Sequence, residues 1–181
     1  MRALAIACLA AMVLGGCASS AVVTPRKYLD EQTGATITAV AEPWVFNRER
    51  SAPQLDFINM YAIDINRMGE HRQYLVVVQY WPAPEWKAAQ PLLEIQAADD
   101  RVRLQPIDTT ARELGIGQPL DPSAPRAAKY WFYPVERAQL ERIARTQHTS
   151  VALLKDEVRA SYIVWRDGSA ELNEFATFAL D

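Results

Sequence analysis

Downstream of an apolar start, hydrophobic positions along the chain recur mostly every second residue. Thr36 to Glu42 alternates, with Ile37, Ala39 and Ala41 on one side and Thr36, Thr38 and Val40 on the other, which predicts a strand running to the break at Pro43. Phe57 to Asn66 predicts a second strand. Tyr74 to Trp81 predicts a third that is apolar on both faces, Tyr74, Val76, Val78 and Tyr80 against Leu75, Val77 and Trp81, and such a strand belongs at the centre of a sandwich or under a helix. Between these two, Arg67 to Arg72 reads as a charged loop with Gly69 free to take positive φ, so the strands form a hairpin. A second hairpin turns at Ala98, Asp99 and Asp100, with Leu93, Ile95 and Ala97 inward on one arm and Val102 and Leu104 on the other. Arg101, Arg103 and Gln105 alternate outward, which marks a half-buried strand.

The period then lapses. Asp108 to Ala127 carries Gly115, Gly117, Pro119, Pro122 and Pro125 with no sustained pattern, a loop longer than compact domains usually hold without function or disorder. Order returns in a strand at Ala128–Tyr133 ended by Pro134. A helix over Glu136–Gln147 follows, with Leu140, Ile143, Ala144 and Gln147 on its apolar stripe. Val151–Leu154 and Val158–Trp165 read as a third hairpin around Asp156 and Glu157. Asp167, Gly168 and Ser169 make a turn from which Ser169 caps a last helix that buries Leu172, Phe175, Ala176 and Ala179. The sum is a mainly β, α+β domain: an antiparallel sheet or a β-sandwich with two late helices. The strand–helix alternation of a doubly wound fold is missing, and Gly115-Ile116-Gly117 is only a fragment of a phosphate loop.

The apolar start changes the picture. Met1 and Arg2 precede an apolar run from Ala3 to Leu14, too short to span a bilayer as a helix, and this reads as a signal peptide. It ends in Leu14-Gly15-Gly16-Cys17, which resembles the lipobox of bacterial lipoproteins, whose cysteine is acylated and becomes the first residue. The resemblance implies lipidation at Cys17, and Ala18 after it implies sorting to the outer membrane. The organisation expected is a signal peptide at 1–16, a lipidated tether at 17–27 and a single β-rich domain at 28–181. The alternative is an ordinary secretory signal that leaves a soluble periplasmic protein. Cys8 lies within the signal, so the mature chain has one thiol and can form no internal disulfide.

Charge and chemistry narrow the function. The net charge of −3 falls further when Arg2 leaves with the signal, which argues against a nucleic-acid partner. His71 and His148 lack metal-binding spacing, no cofactor motif is present, no serine lies in a GxSxG elbow, and Lys27, Lys87, Lys129 and Lys155 stand in no SxxK motif. The expectation is no catalytic set, no metal and no cofactor. Asp56, Asp99, Asp100 and Asp108 read as turn and strand-end charges. Asp64 shares a strand face with Ile58, Met60 and Ala62, so it needs a partner if that face is buried, and Arg67 or Arg72 would serve. Trp44, Trp81 and Trp86, near Pro43, Pro82 and Pro84, are candidate ligand-binding residues that would line a rim for sugar or peptide. Against this, Trp44 and Trp81 would cap the core and Trp86 would pack under its loop.

The stretches TITAVAEPWVFNRER, INRMGEHRQYL, ARELGIG and WRDGSA together resemble a group of uncharacterised lipoproteins of Gram-negative bacteria. The resemblance covers most of the mature chain and implies an envelope protein, with no catalytic residue to carry across. The expected role is therefore a lipid-anchored outer-membrane protein facing the periplasm that binds or supports another envelope component, a protein or peptidoglycan. Two alternatives stand beside it: an enzyme acting on cell-wall material, and a hydrolase inhibitor whose inserting loop would be 108–127.

Overall fold

The computed structural model describes residues 24–49, 56–97, 100–145 and 150–178. Among them are ten strands, β1 (Arg26–Leu29), β2 (Thr36–Ala39), β3 (Trp44–Arg48), β4 (Phe57–Arg67), β5 (Glu70–Gln79), β6 (Leu92–Ala97), β7 (Asp100–Leu104), β8 (Lys129–Pro134), β9 (Ser150–Lys155) and β10 (Val158–Arg166). Three helices accompany them: a single turn α1 (Pro84–Lys87), α2 (Arg137–Ala144) and α3 (Ser169–Phe178). Every strand pairing is antiparallel. The fold class expected from the sequence is the one found, as one curled sheet, a half-barrel, and not as a sandwich of two.

The curl follows from how the strands share edges. The order runs β7-β6-β9-β10-β3-β4-β5-β8. β3 pairs with the first part of β4 and β2 with the second, both on the same edge, so the chain from Thr36 to Arg48 follows β4 with one bend at Val40–Pro43. Beyond β7, Ile107 bridges to Phe132 in β8, which draws the two ends of the sheet toward each other. Two strands were not legible in the pattern. β3 is short and follows a proline, and β1 begins at Arg26, inside the stretch read as tether.

The concave face holds the main core. Trp44, Phe46, Ile58, Met60, Leu75, Val77, Trp131, Tyr133, Leu93, Leu153 and Tyr162 are buried there, and the cross-strand register puts them on one side: Met60 opposite Trp44 and Val77, Val77 opposite Trp131. α2 adds Leu140 and Ile143, and α3 adds Leu172 and Phe175. α2 starts with a capping box between Glu136 and Gln139 and ends at Ala144; Gln147 and Ala179, read as buried positions, lie outside the described residues. The cap of α3 differs from expectation: the Asp167 carboxylate accepts the Ser169 N–H at 2.9 Å. Aspartate two residues ahead of the first free N–H supplies the acceptor, and it brings a negative charge to the positive end of the helix.

The β4–β5 hairpin is tighter than a loop of Arg67–Arg72. Arg67 pairs with Glu70, leaving Met68 and Gly69 as the turn, both at positive φ, 53° and 86°. This is the backbone that matches strand twist in a two-residue connection. The convex face of β4, β5 and β8 is also apolar: Tyr61, Ile63, Ile65, Val76, Val78 and Phe132 are buried. Its cover is neither a helix nor a second sheet. The 108–127 segment folds down over it and buries Ile116 and Leu120, each contributing roughly 1.5–3 kcal/mol.

Candidate functional site

Two aspartates hold that long loop in place. Asp30, in the turn after β1, accepts the N–H groups of Gln32 and Thr33, both at 3.1 Å, and that of Gly117 at 2.6 Å. The Gly117 N–H is the largest reason why the Asp30 carboxyl is held below its ordinary value. Gly115, at φ 84°, and Gly117, where a Cβ would stand 2.6 Å from Asp30 Oδ2, are required by this close approach. At the other end Asp121, buried, accepts Tyr80 Oη at 2.6 Å and Asn59 Nδ2 at 3.0 Å on one oxygen. Ser123 Oγ at 2.6 Å and Ser123 N at 3.0 Å donate to the other. Burial pushes this carboxyl up, but the hydrogen bonds from Ser123, Tyr80 and Asn59 outweigh it and hold it below its ordinary value. Arg26 Nη2 donates to Leu120 O at 3.0 Å. A cleft of about 300 Å³ remains between loop and sheet, lined by residues that include Thr109, Pro119, Leu120, Tyr130 and Phe132.

A second polar arrangement lies at the β4–β5 hairpin. Asp64 is 2 % exposed, and its partner is neither Arg67 nor Arg72 but His71, whose Nδ1 lies 2.9 Å from Asp64 Oδ2. Strand register explains the correction: His71 stands opposite Asn66 on the same face as Asp64, whereas Arg72 stands opposite Ile65 on the other face and is held by Glu70 at 2.7 Å. The tautomer follows from the neighbours. Gly69 N donates to Asn66 Oδ1 at 2.9 Å, which turns the Asn66 amide nitrogen toward His71 Nε2 at 2.8 Å. An amide nitrogen only donates, so Nε2 accepts and Nδ1 carries the proton given to Asp64. Both ring nitrogens of His71 are engaged. The second oxygen of Asp64, Oδ1, has no hydrogen-bond partner among the described residues.

His71 stands on the rim of an open groove of about 710 Å³, lined also by Arg72, Arg103, Gln105, Glu136 and Arg137. It opens where the chain leaves β7 and passes β8, near the bridge from Ile107 to Phe132. Arg103 is tied to Glu94 at 2.9 Å and Arg137 to Glu141 at 2.9 Å.

The three tryptophans do not form one rim. Trp44 and Trp86 are buried, Trp44 with its ring 5.3 Å from that of Phe46, while Trp81 alone is exposed, at 64 %. Trp44 occupies an inward position of β3, and α1 turns Trp86 into the core, where neither indole N–H finds a partner among the described residues. Trp165 is exposed as well, edge-on to Phe57 at 5.7 Å. Among the carboxylates, Asp56 joins Arg48, Gln79 and Tyr162, Asp100 pairs with Arg142, and Asp108 accepts from Gln90. Cys17, Asp99 and His148 lie outside the described residues. Among those described, no group of three or more His, Cys, Asp and Glu is placed to hold a metal. Asp121 and His71 were within reach of sequence reasoning only as a polar residue inside a proline-rich loop and a histidine two residues from a turn. No family model, no curated protein and no solved structure matches the chain.

Proposed function

We propose that the protein is a lipid-anchored protein of the bacterial outer membrane, facing the periplasm, whose β domain binds or supports another envelope component. The anchor rests on the LGGC box ending at Cys17, a short stretch ahead of β1 at Arg26; an acylated cysteine carrying more than one chain suffices for stable attachment. No helix among the described residues is long and apolar enough to cross a membrane.

The observation that carries binding is the groove between β7 and β8. It is wide, open and charged in both signs, and it is lined by side chains already fixed by their own partners. Such a surface receives a polar chain laid across it with little ordering cost on the protein side. The Asp64–His71 pair at the rim favours a second reading, an enzyme acting on cell-wall material with His71 as proton carrier, for which Nε2 would first have to release Asn66. The inhibitor reading has less support, because 108–127 packs down on the sheet between Asp30 and Asp121.

Membrane fractionation of Cys17→Ser against the unaltered chain tests the anchor: release into the soluble fraction or stalled processing is expected, and a processed form that stays on membranes refutes it. For the groove, a photo-cross-linker at Gln105 in intact cells should capture one envelope component. Turnover of purified muropeptides in the absence of any cross-link would replace binding by catalysis.

A further inference from the structure

The convex face of β6, β7 and β10 gathers three arginines over one carboxylate. Glu94 is 1 % exposed although it points out of the concave core, because Arg101, Arg103 and Arg159 lie over it. Arg159 Nη2 donates to Glu94 Oε1 at 2.8 Å and Arg103 Nε to Oε2 at 2.9 Å. Arg101 Nε is 3.7 Å from Oε1 and donates to Gln96 Oε1 at 3.2 Å. Burial pushes the Glu94 carboxyl up, but the hydrogen bonds from Arg159 and Arg103 outweigh it and hold it below its ordinary value, so it carries its charge.

One arginine is enough to neutralise one carboxylate. Three leave a surplus of two positive charges within a few ångströms, and each guanidinium is half-exposed, so water alone screens their mutual repulsion. The donors are not used up. Arg101 and Arg103 each engage only Nε, and Arg159 uses Nη2 on Glu94 and Nε on Ser161 Oγ at 3.3 Å. Both Nη groups of Arg101 and Arg103, and Nη1 of Arg159, therefore have no partner among the described residues. Of the neighbouring acids, Asp100 is held by Arg142 at 3.0 Å, and Glu49 lies beyond Ser161 at the β3 edge. Strand geometry holds the guanidiniums in place: Arg103 stands directly opposite Glu94, Arg101 opposite Gln96, and Arg159 reaches across β9.

We propose that Arg101, Arg103 and Arg159, held in position by the buried Glu94, form a binding site for a phosphate group. A phosphate monoester carries about −1.5 to −2 charge near neutral pH, which matches the surplus. Its tetrahedral oxygens suit the paired N–H forks of arginine. The site does not depend on where the chain is anchored, and the phosphate is that of an anionic headgroup or of a soluble phosphomonoester.

The test uses the full chain carrying Cys17→Ser, so that no acyl group contributes to membrane binding. Inorganic phosphate is titrated in by calorimetry at low ionic strength and neutral pH. Saturable one-to-one binding is expected, and Arg101→Gln and Arg159→Gln should each weaken it about tenfold or more. Both residues lie outside the β7–β8 groove, so their effect does not report on that groove. Arg101→Lys, which keeps the charge and loses the fork, should also weaken binding, and unchanged thermal melting shows that each variant is folded. Arg112→Gln, an exposed loop arginine, should bind as the unaltered chain does. Absence of saturable heat, or an equal loss in Arg112→Gln, means an adventitious ion only and overturns the proposal. Co-sedimentation with phosphatidylcholine vesicles containing phosphatidate, lost in Arg159→Gln, assigns the phosphate to a headgroup; binding of glycerol phosphate without vesicle binding assigns it to a soluble ester.

Discussion

Replacing Asp121 by Asn tests whether the long loop is held by charge. In the native chain one oxygen of Asp121 accepts Tyr80 Oη and Asn59 Nδ2, and the other accepts two groups of Ser123. An asparagine that keeps its oxygen toward Ser123 presents an NH₂ to the other two. The Tyr80 hydroxyl can turn round, accept from that NH₂ and donate to Ser123 Oγ, 2.7 Å away. Asn59 Nδ2 cannot accept, so one hydrogen bond to a charged group is lost, worth about 1.5–3 kcal/mol, and the others weaken from charged to neutral acceptors. The net expectation is a loss of about 2–3 kcal/mol, which raises the opening equilibrium of the loop about 30- to 150-fold. Urea unfolding gives the global loss, and amide exchange at Ile116, Ser123 and Ala124 locates it. The pH dependence has a fixed sign. The folded carboxyl titrates below its ordinary value, so its stabilisation is present above the unfolded value near pH 4 and disappears as pH falls through the lower folded value. Wild type and Asp121→Asn should converge in acid. A loss under about 0.5 kcal/mol at neutral pH, less than one ordinary hydrogen bond, would refute the reasoning, as would a gap that persists in strong acid.

Three further outcomes follow from the same geometry. His71→Ala leaves the buried Asp64 without its only hydrogen-bond donor among the described residues and should cost about 1–3 kcal/mol in urea unfolding. Arg72→Ala, which breaks an exposed pair with Glu70, should stay within about 0.5 kcal/mol, and equal losses would show that burial of Asp64 is not the cause. Gly117→Ala places a methyl 2.6 Å from Asp30 Oδ2 and should cost about 1–3 kcal/mol with faster exchange of the residue 117 amide; unchanged exchange would mean that the Asp30 carboxylate moves aside freely. Trp86→Ala should lower stability by about 3–5 kcal/mol, whereas Trp86→Phe, which removes an indole N–H that has no partner among the described residues, should cost less than about 1.5 kcal/mol. A folded, fully stable Trp86→Ala protein would return that ring to the list of surface binding residues.

The strand pairings that could be read in advance are those whose partner is the next segment. β4 and β5, β6 and β7, and β9 and β10 are hairpins, and their inward residues, from Leu93 and Ile95 to Val102 and Leu104, alternate as expected. β3 escaped because only Trp44 and Phe46 face inward on a strand of five residues. Alternation places Asp64 on the face of Met60 and Ala62 and so gives it a need for a partner if that face is buried, but it does not name the partner. Side-chain reach suggested arginines close in sequence, and cross-strand register selected His71. The tryptophans do not share one rim for a similar reason: proximity to prolines and strand ends does not say which face a ring takes, and Trp44 and Trp86 turn inward while Trp81 stays exposed.

By itself the sequence determined the class of the domain, since a period of two with short turns admits little except antiparallel β structure. It also determined the outward row of Arg101 and Arg103. Only the tertiary structure decided that the sheet curls, because β2 and β3 share one edge of β4 and Ile107 reaches Phe132 from a distant part of the chain. The pairing of β9 with both β6 and β10 places Arg159 over Glu94, and a proline-rich loop lies on the back of β4 and β5. Local pattern fixes which way a side chain points along its own strand. What it meets there depends on register between segments far apart in the chain, which no local period encodes.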